Sequence, residues 1–346
     1  MAESSETSST YARTPFANGA SIGVGSLPHT DSAAASAFSI GEFEIATVPT
    51  LPRRSAAAGM LAQAATFLDG VEPTDRGLVI EREPTLSNRL GSPSALDADA
   101  FADLDAFLDL GSKVNLDGAP VKWQFAGPIT VGCALVEAGL SPADAFALAG
   151  EAVDAGVRSI EASIADVLPN CEQLMLFDEP WLVELMNDDF PVPPDHAVDV
   201  LAAAMAAPAP STAVGVHCCG PCDVATVLAT GPRVISVPVD DALLDAAGYL
   251  ARFIESGGVV AWGVVPTDGP VADRAHRWWR RLSDLWCALV QRGCDPVELR
   301  QRSLVSTECG LAGHTVSVAR TLARQTGEVS RHVRDQAAAT RLTLGA

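Results

Sequence analysis

Short apolar runs recur along the chain, each stopped by glycine, proline or a polar residue and each followed by a tract with helical periodicity. Residues 21–26, 45–48, 121–126, 173–177, 212–216, 234–237, 259–264 and 304–306 read as eight strands. The tracts that follow predict helices after Asp31, which offers an N-cap, and over 55–68, 97–110, 142–167, 195–206, 223–229, 242–256, 271–292 and 316–344. Thr130 is placed to cap a helix after Gly127-Pro128. Residues 70–96, rich in proline, glycine and glutamate, contain one β segment at 78–81 and form an excursion from the alternation.

Strand–helix alternation means a parallel sheet, and eight such units over this length point to a single (β/α)8 TIM barrel rather than an open doubly wound sheet. The barrel domain is expected over 21–346. Residues 1–20, rich in Ser, Thr, Glu and Ala and without periodicity, read as a flexible, disordered tail. In such a barrel, chemistry belongs to the carboxyl ends of the strands. Ser26, Asp178, His217, Cys219, Asp268 and Cys309 all lie at or just past predicted strand ends.

Composition narrows the partners. The 346 residues are 48% hydrophobic but only 5% aromatic, enough for a large aliphatic core. A net charge of −20, with 43 acidic against 23 basic residues, makes nucleic acid and anionic membranes poor partners. Eight scattered cysteines, no leader segment and no apolar run of about 18 residues point to a reducing, cytoplasmic setting. The thiols are then ligands, nucleophiles or core.

The densest chemistry is Val214-Gly215-Val216-His217-Cys218-Cys219-Gly220-Pro221-Cys222, between a strand and a helix. His217 and Cys219 form His-x-Cys, which in extended chain puts both side chains on one side and suits two ligands of one metal. Cys219 and Cys222 also form Cys-x-x-Cys, the spacing of a dithiol oxidoreductase. Packing accounts for Cys218, and for Trp278, Trp279 and Trp286 at core spacing on one helix; His29, after Pro28, reads as a solvated loop histidine.

Five motifs in order carry a resemblance: Gly25-Ser26-Leu27-Pro28, Phe125-Ala126-Gly127-Pro128-Ile129-Thr130, Asp178-Glu179-Pro180, His217-Cys218-Cys219 and Glu308-Cys309-Gly310-Leu311. Together they resemble the carboxyl-terminal catalytic barrel of the cobalamin-independent methionine synthase family, in its short, single-barrel form. The resemblance implies a zinc-dependent methyltransferase that activates homocysteine to form methionine, with zinc on His217, Cys219 and Cys309, and with Ser26 and Asp178 holding homocysteine, the aspartate at its ammonium group. It implies a methyl donor that is a methyltetrahydrofolate or a methylcorrinoid, the latter free or on a corrinoid protein.

Two positions depart from the family. Its further zinc-ligating glutamate falls on Pro238, leaving a His-Cys-Cys set like that of the related coenzyme M methyltransferases, so a coenzyme M-type or other thiol methyltransferase is an alternative. Its donor-protonating histidine falls on Asp268, the remaining candidate catalytic acid. Methyltetrahydrofolate needs an acid for its departing amine whereas a corrinoid does not, so a methylcorrinoid is expected to serve at least as well.

Overall fold

The apolar runs become strands because they are short, rich in β-branched residues and punctuated by turn formers, and each lies where the pattern puts it. In the computed structural model, which describes residues 16, 18–74, 77–87, 96, 99–271 and 275–343, with side chains of the last helix described to 335, the strands are β1 (Ala20–Ser21), β2 (Ala46–Thr47), β3 (Leu68–Thr74), β4 (Gly77–Leu86), β5 (Val121–Ala126), β6 (Gln173–Asp178), β7 (Ala213–His217), β8 (Val234–Pro238), β9 (Val259–Val265) and β10 (Ser303–Thr307). Eight of them form one parallel sheet in the spatial order β1, β10, β9, β8, β7, β6, β5, β2. A parallel bridge between Ile22 and Ile45, with the Ile45 amide donating to Ser21 O at 3.1 Å, joins β1 to β2 and closes the ring. The result is the eight-stranded α/β barrel the alternation predicts.

Alternation along each strand divides the interior in two. Leu174 and Leu176 of β6, Val234 of β8, Ala261 of β9 and Leu304 of β10 pack inside the ring, with Phe16 and Ile22. Met175, Phe177, Val216, Ile235 and Trp262, on the opposite faces, join the larger core under the helices. Nearer the carboxyl ends the inward positions turn polar, through Gln124, Asp178, His217, Ser236 and Ser306. The site is therefore built on rigid strands over an apolar floor.

The excursion is an antiparallel hairpin, β3 with β4, longer than the segment expected at 78–81. Leu68 starts that hairpin, so the helix expected over 55–68 shortens to a 3-10 turn, Ala56–Ala58, and a helix, Met60–Ala65. Helix Pro142–Val167 stands as predicted, capped by Ser141, whereas the tract 242–256 breaks into Asp241–Leu244 and Ala247–Glu255. A short helix before β10, Pro296–Gln301, was not apparent in the pattern; Asp295 caps it through Val297 N and Glu298 N. Of the expected tail, residues 1–15 and 17 lie outside the described residues, while Phe16 is buried and Ala20 already belongs to β1. Among the described residues no helix is long and apolar enough to cross a membrane.

Candidate functional site

Two of the motifs are halves of one joint. Glu179, directly after β6 and 0% exposed, accepts hydrogen bonds from Ile129 N at 2.9 Å, Thr130 N at 2.7 Å and Thr130 Oγ1 at 2.6 Å, at the start of helix Pro128–Glu137. A carboxylate there satisfies orphan amides and complements the positive end of the helix dipole. Gly127 permits the approach: a Cβ on it would fall 2.0 Å from Glu179 Oε1. Thr130 is thus not the N-cap; Gly127 is, and the threonine hydroxyl serves Glu179 instead. Burial pushes the Glu179 carboxyl up to about 7 against the pull of these hydrogen bonds.

Asp178, one residue earlier, ends β6 pointing inward. Its Oδ1 is sealed from solvent and has no hydrogen-bond partner. Burial pushes its carboxyl up to about 7, opposed by the charge of Lys122. Lys122, on β5 and 0% exposed, was not singled out by the sequence reading. Its ammonium donates to Val24 O and, at 2.7 Å, to Gln124 Oε1, while Gln124 Nε2 donates to Val48 O at 3.0 Å. This network ties together the ends of the first three barrel strands. Burial lowers the Lys122 pKa to about 8, opposed by Asp178.

His217, Cys219 and Cys309 come together. His217 ends β7, buried, with Nδ1 2.9 Å from Ser236 Oγ on β8, which fixes the ring and leaves Nε2 for another partner. The Cys309 thiol, just past β10, lies near enough to Cys219 and the His217 ring for both to shift its pKa, Cys219 upward and His217 downward. Donation to Cys219 pushes Cys309 up and holds the Cys219 thiol below its ordinary pKa; burial lowers that of His217. Among the described residues, no group of three or more His, Cys, Asp or Glu is already spaced to hold a metal ion.

The cysteines sort differently from the Cys-x-x-Cys reading. The Cys218 thiol donates to Gly220 O at 3.6 Å, and its proximity to Cys222 raises its own pKa and lowers that of Cys222, while Cys219 and Cys309 shift each other. Ser26 meets the same turn as Cys309: Leu311 N donates to Ser26 O at 2.8 Å, and a Cβ on Gly310 would fall 1.9 Å from Ser26 Oγ. The closure of the ring thereby places Ser26 beside the Cys309 turn. His29 is buried on the edge of Phe38 with Nδ1 unpartnered, not solvated as expected.

Asp268 does not join this group directly. It lines a cleft of about 370 Å³ that also takes in Cys219, Pro238, Asp240, Arg281 and Glu308. Pro238 ends β8 at the cleft wall, where it offers no donor side chain.

No protein-family model matches the chain, and no curated protein sequence matches it. Solved structures do. The chain is similar to a B12-independent methionine synthase from Shewanella sp. W3-18-1 in complex with selenomethionine, at 13% identity and a TM-score of 0.64 over 93% of this chain and 99% of that one. A candidate vitamin-B12-independent methionine synthase from Listeria monocytogenes is similar at 14% identity and a TM-score of 0.57, over 88% and 86% of the two chains. A methyltransferase from Methanosarcina mazei follows at 13% and 0.54, over 91% and 94%. At such identities the likeness establishes the fold.

Proposed function

We propose that the protein is a zinc-dependent S-methyltransferase that activates homocysteine and forms methionine. The observation that carries this reading is that one imidazole and two thiols lie at the ends of β7 and β10, near enough that both His217 and Cys219 shift the pKa of Cys309. Their donor chemistry fits zinc: a neutral nitrogen and two sulfurs whose thiol protons a metal would replace, with a histidine whose second nitrogen is already engaged. Pro238 offers no fourth donor, so zinc held by these three residues would leave a position for substrate. The methyltransferases among the structural neighbours support the same reading.

Bound zinc would supply a Lewis acid that strips the substrate thiol of its proton and keeps it nucleophilic at neutral pH. The protein's own residues do the rest. Ser236 orients His217 through Nδ1. Asp178 brings an unpartnered buried oxygen toward which an amino acid's ammonium group can donate. Lys122, held by Val24 O and Gln124, places a positive charge beneath that carboxylate and fastens the Gly25-Ser26 turn in position. Asp268 lines the cleft that also takes in Cys219.

A thiol carrying a sulfonate, as in the coenzyme M-type alternative, would leave Asp178 Oδ1 without a donor, which favours the amino-acid thiol. Metal analysis of protein never exposed to chelator should give about one zinc per chain, and Cys309→Ser should lose it with the fold intact. A dithiol oxidoreductase would instead be inactivated by Cys222→Ser and indifferent to Cys309. Protein free of zinc that methylates no thiol would overturn the proposal.

A further inference from the structure

The turn that carries Cys309 is fastened at both ends. Thr307 Oγ1 donates to Cys309 O at 2.7 Å at its start, and His314 N donates to Leu311 O at 3.1 Å at its close. Past the end of β1, Ser26 O accepts from Leu311 N at 2.8 Å, and Gly310 lies so near that a Cβ on it would fall 1.9 Å from Ser26 Oγ. A second hold comes from the turn after β2. Arg53 Nη1 donates to His314 O at 2.7 Å and Arg53 Nη2 to Gly313 O at 3.1 Å, joining residues 261 and 260 positions apart. That turn is itself anchored: Leu51 N, at 3.0 Å, and Arg54 Nε, at 2.9 Å, both donate to the buried carboxylate of Asp103, and Thr50 bridges to Ser26. Adjacent arginines are therefore used differently. Arg54 takes the carboxylates of Asp99 and Asp103, whereas Arg53 spends its planar fork on two consecutive carbonyls, which fixes a backbone and neutralises nothing.

Resting on the zinc reading, we propose that Arg53 is a positioning residue: its two bonds keep the 308–314 turn seated on Ser26 and thereby set Cys309 relative to His217 and Cys219. Gly310 leaves no slack between turn and serine, so the two keep one relative position while the turn is held. Without Arg53, the turn's hold on the end of β1 reduces to one backbone bond, Leu311 N to Ser26 O. Cys309 and the contact with Ser26 then loosen together, while His217 stays fixed by Ser236 at 2.9 Å. The three ligands are thus unequal: two follow directly on β7, and the third depends on a tethered turn. Groups one step behind a metal's ligands commonly change its affinity by roughly ten- to a hundredfold. Arg53 acts from further back, through the turn, so the lower end of that range is expected.

Two measurements test it, one of which needs no metal. Hydrogen–deuterium exchange on metal-free protein should show the peptide spanning 308–315 exchanging roughly tenfold faster in Arg53→Met, which keeps the aliphatic stem and removes the donors. Zinc-loaded protein transferred to a chelating dye should lose its metal roughly tenfold faster in the same variant, with KM for homocysteine raised more than kcat is lowered. Arg53→Lys, able to hold one carbonyl, should fall between. Arg320→Met is the control, because it removes a surface arginine whose partners, Glu42 and the Phe38 ring, lie outside the turn. It should release zinc at the wild-type rate. Wild-type exchange and zinc release in Arg53→Met overturn the proposal, as does equal acceleration in Arg320→Met, which would reduce both arginines to general stability. Faster exchange confined to 308–315, in a protein that retains no zinc, leaves the tether standing and sinks the zinc reading instead.

Discussion

At the scale of single residues, Asp178 and Lys122 make an instructive pair. Asp178 was legible because it ends a strand inside a recognisable motif, whereas Lys122 sits in a run that reads as an ordinary strand and lysine reads as surface by default. Only the parity of β5 turns it inward, and parity depends on a register that the sequence leaves open by one residue. Exchanging Asp178 for Asn removes the negative charge beside Lys122 and, on the proposed reading, the partner of the substrate ammonium. Homocysteine binding is expected to weaken by the value of one charged hydrogen bond, on the order of 1.5–3 kcal/mol, with zinc content unchanged. Titration calorimetry with homocysteine checks this, and an unaltered affinity would remove Asp178 from the site. The cysteine pairing was hidden for a similar reason. Spacing alone matches Cys219 with Cys222, whereas in the fold the pKa of Cys222 responds to Cys218 and that of Cys219 to Cys309, 90 residues on in the sequence.

At the scale of elements, the positions of strands and helices followed from punctuation and periodicity, and the misplaced boundaries share a cause. Helix 55–68 was overextended because Phe67 and Leu68 continue an apolar pattern, yet Leu68 pairs with Leu86 in the hairpin. Thr130 looked like a cap because it follows Gly-Pro, but the first turn of helix Pro128–Glu137 is served from another strand, by Glu179. No local signal reports a partner 49 residues away. This joint fixes the start of that helix against the end of β6, one residue from Asp178. Glu179→Gln keeps the volume but presents an amide N–H to donors. It should destabilise the fold by about 1–3 kcal/mol, seen as a lower denaturant midpoint, and impair homocysteine binding less than Asp178→Asn. Gly127→Ala should be at least as damaging, because the added methyl group meets the carboxylate itself. A wild-type midpoint in both variants would mean that the joint contributes no net stability.

At the scale of the whole molecule, the eightfold alternation gave the barrel, while its closure rests on contacts too short to read from a pattern: β1 and β2 are two residues each, and their flanking segments meet through two isolated parallel bridges, Ile22 with Ile45 and Ser26 with Thr50. The net charge of −20 was plain from composition, and joined to the buried carboxyls it makes stability depend on pH with a definite sign. Asp178 and Glu179 are pushed up to about 7 in the folded protein from ordinary values of 3.8 and 4.5. Between those values and 7 the folded state binds more protons than the unfolded one, so stability falls as pH rises through that window. Self-repulsion among the surplus carboxylates acts in the same direction. Glu44 and Asp99, whose carboxyls are lowered by hydrogen bonds and arginine partners, oppose this only at more acidic pH, below the ordinary carboxylate range, and His217 and His29, which burial holds below their ordinary value of 6.5, oppose it only up to that value. Metal-free protein should therefore be more stable near pH 5.5 than at pH 7.5, with each buried carboxyl adding about 1–3 kcal/mol across the window. Urea midpoints measured at half-unit steps from pH 5 to 8 check the sign, and Glu179→Gln should flatten the slope because it removes one of the two titrating groups. A midpoint that climbs steadily from pH 5 to 7.5 would show that these carboxyls keep ordinary values in the fold, and that the hydrogen bonds to Glu179 outweigh its burial.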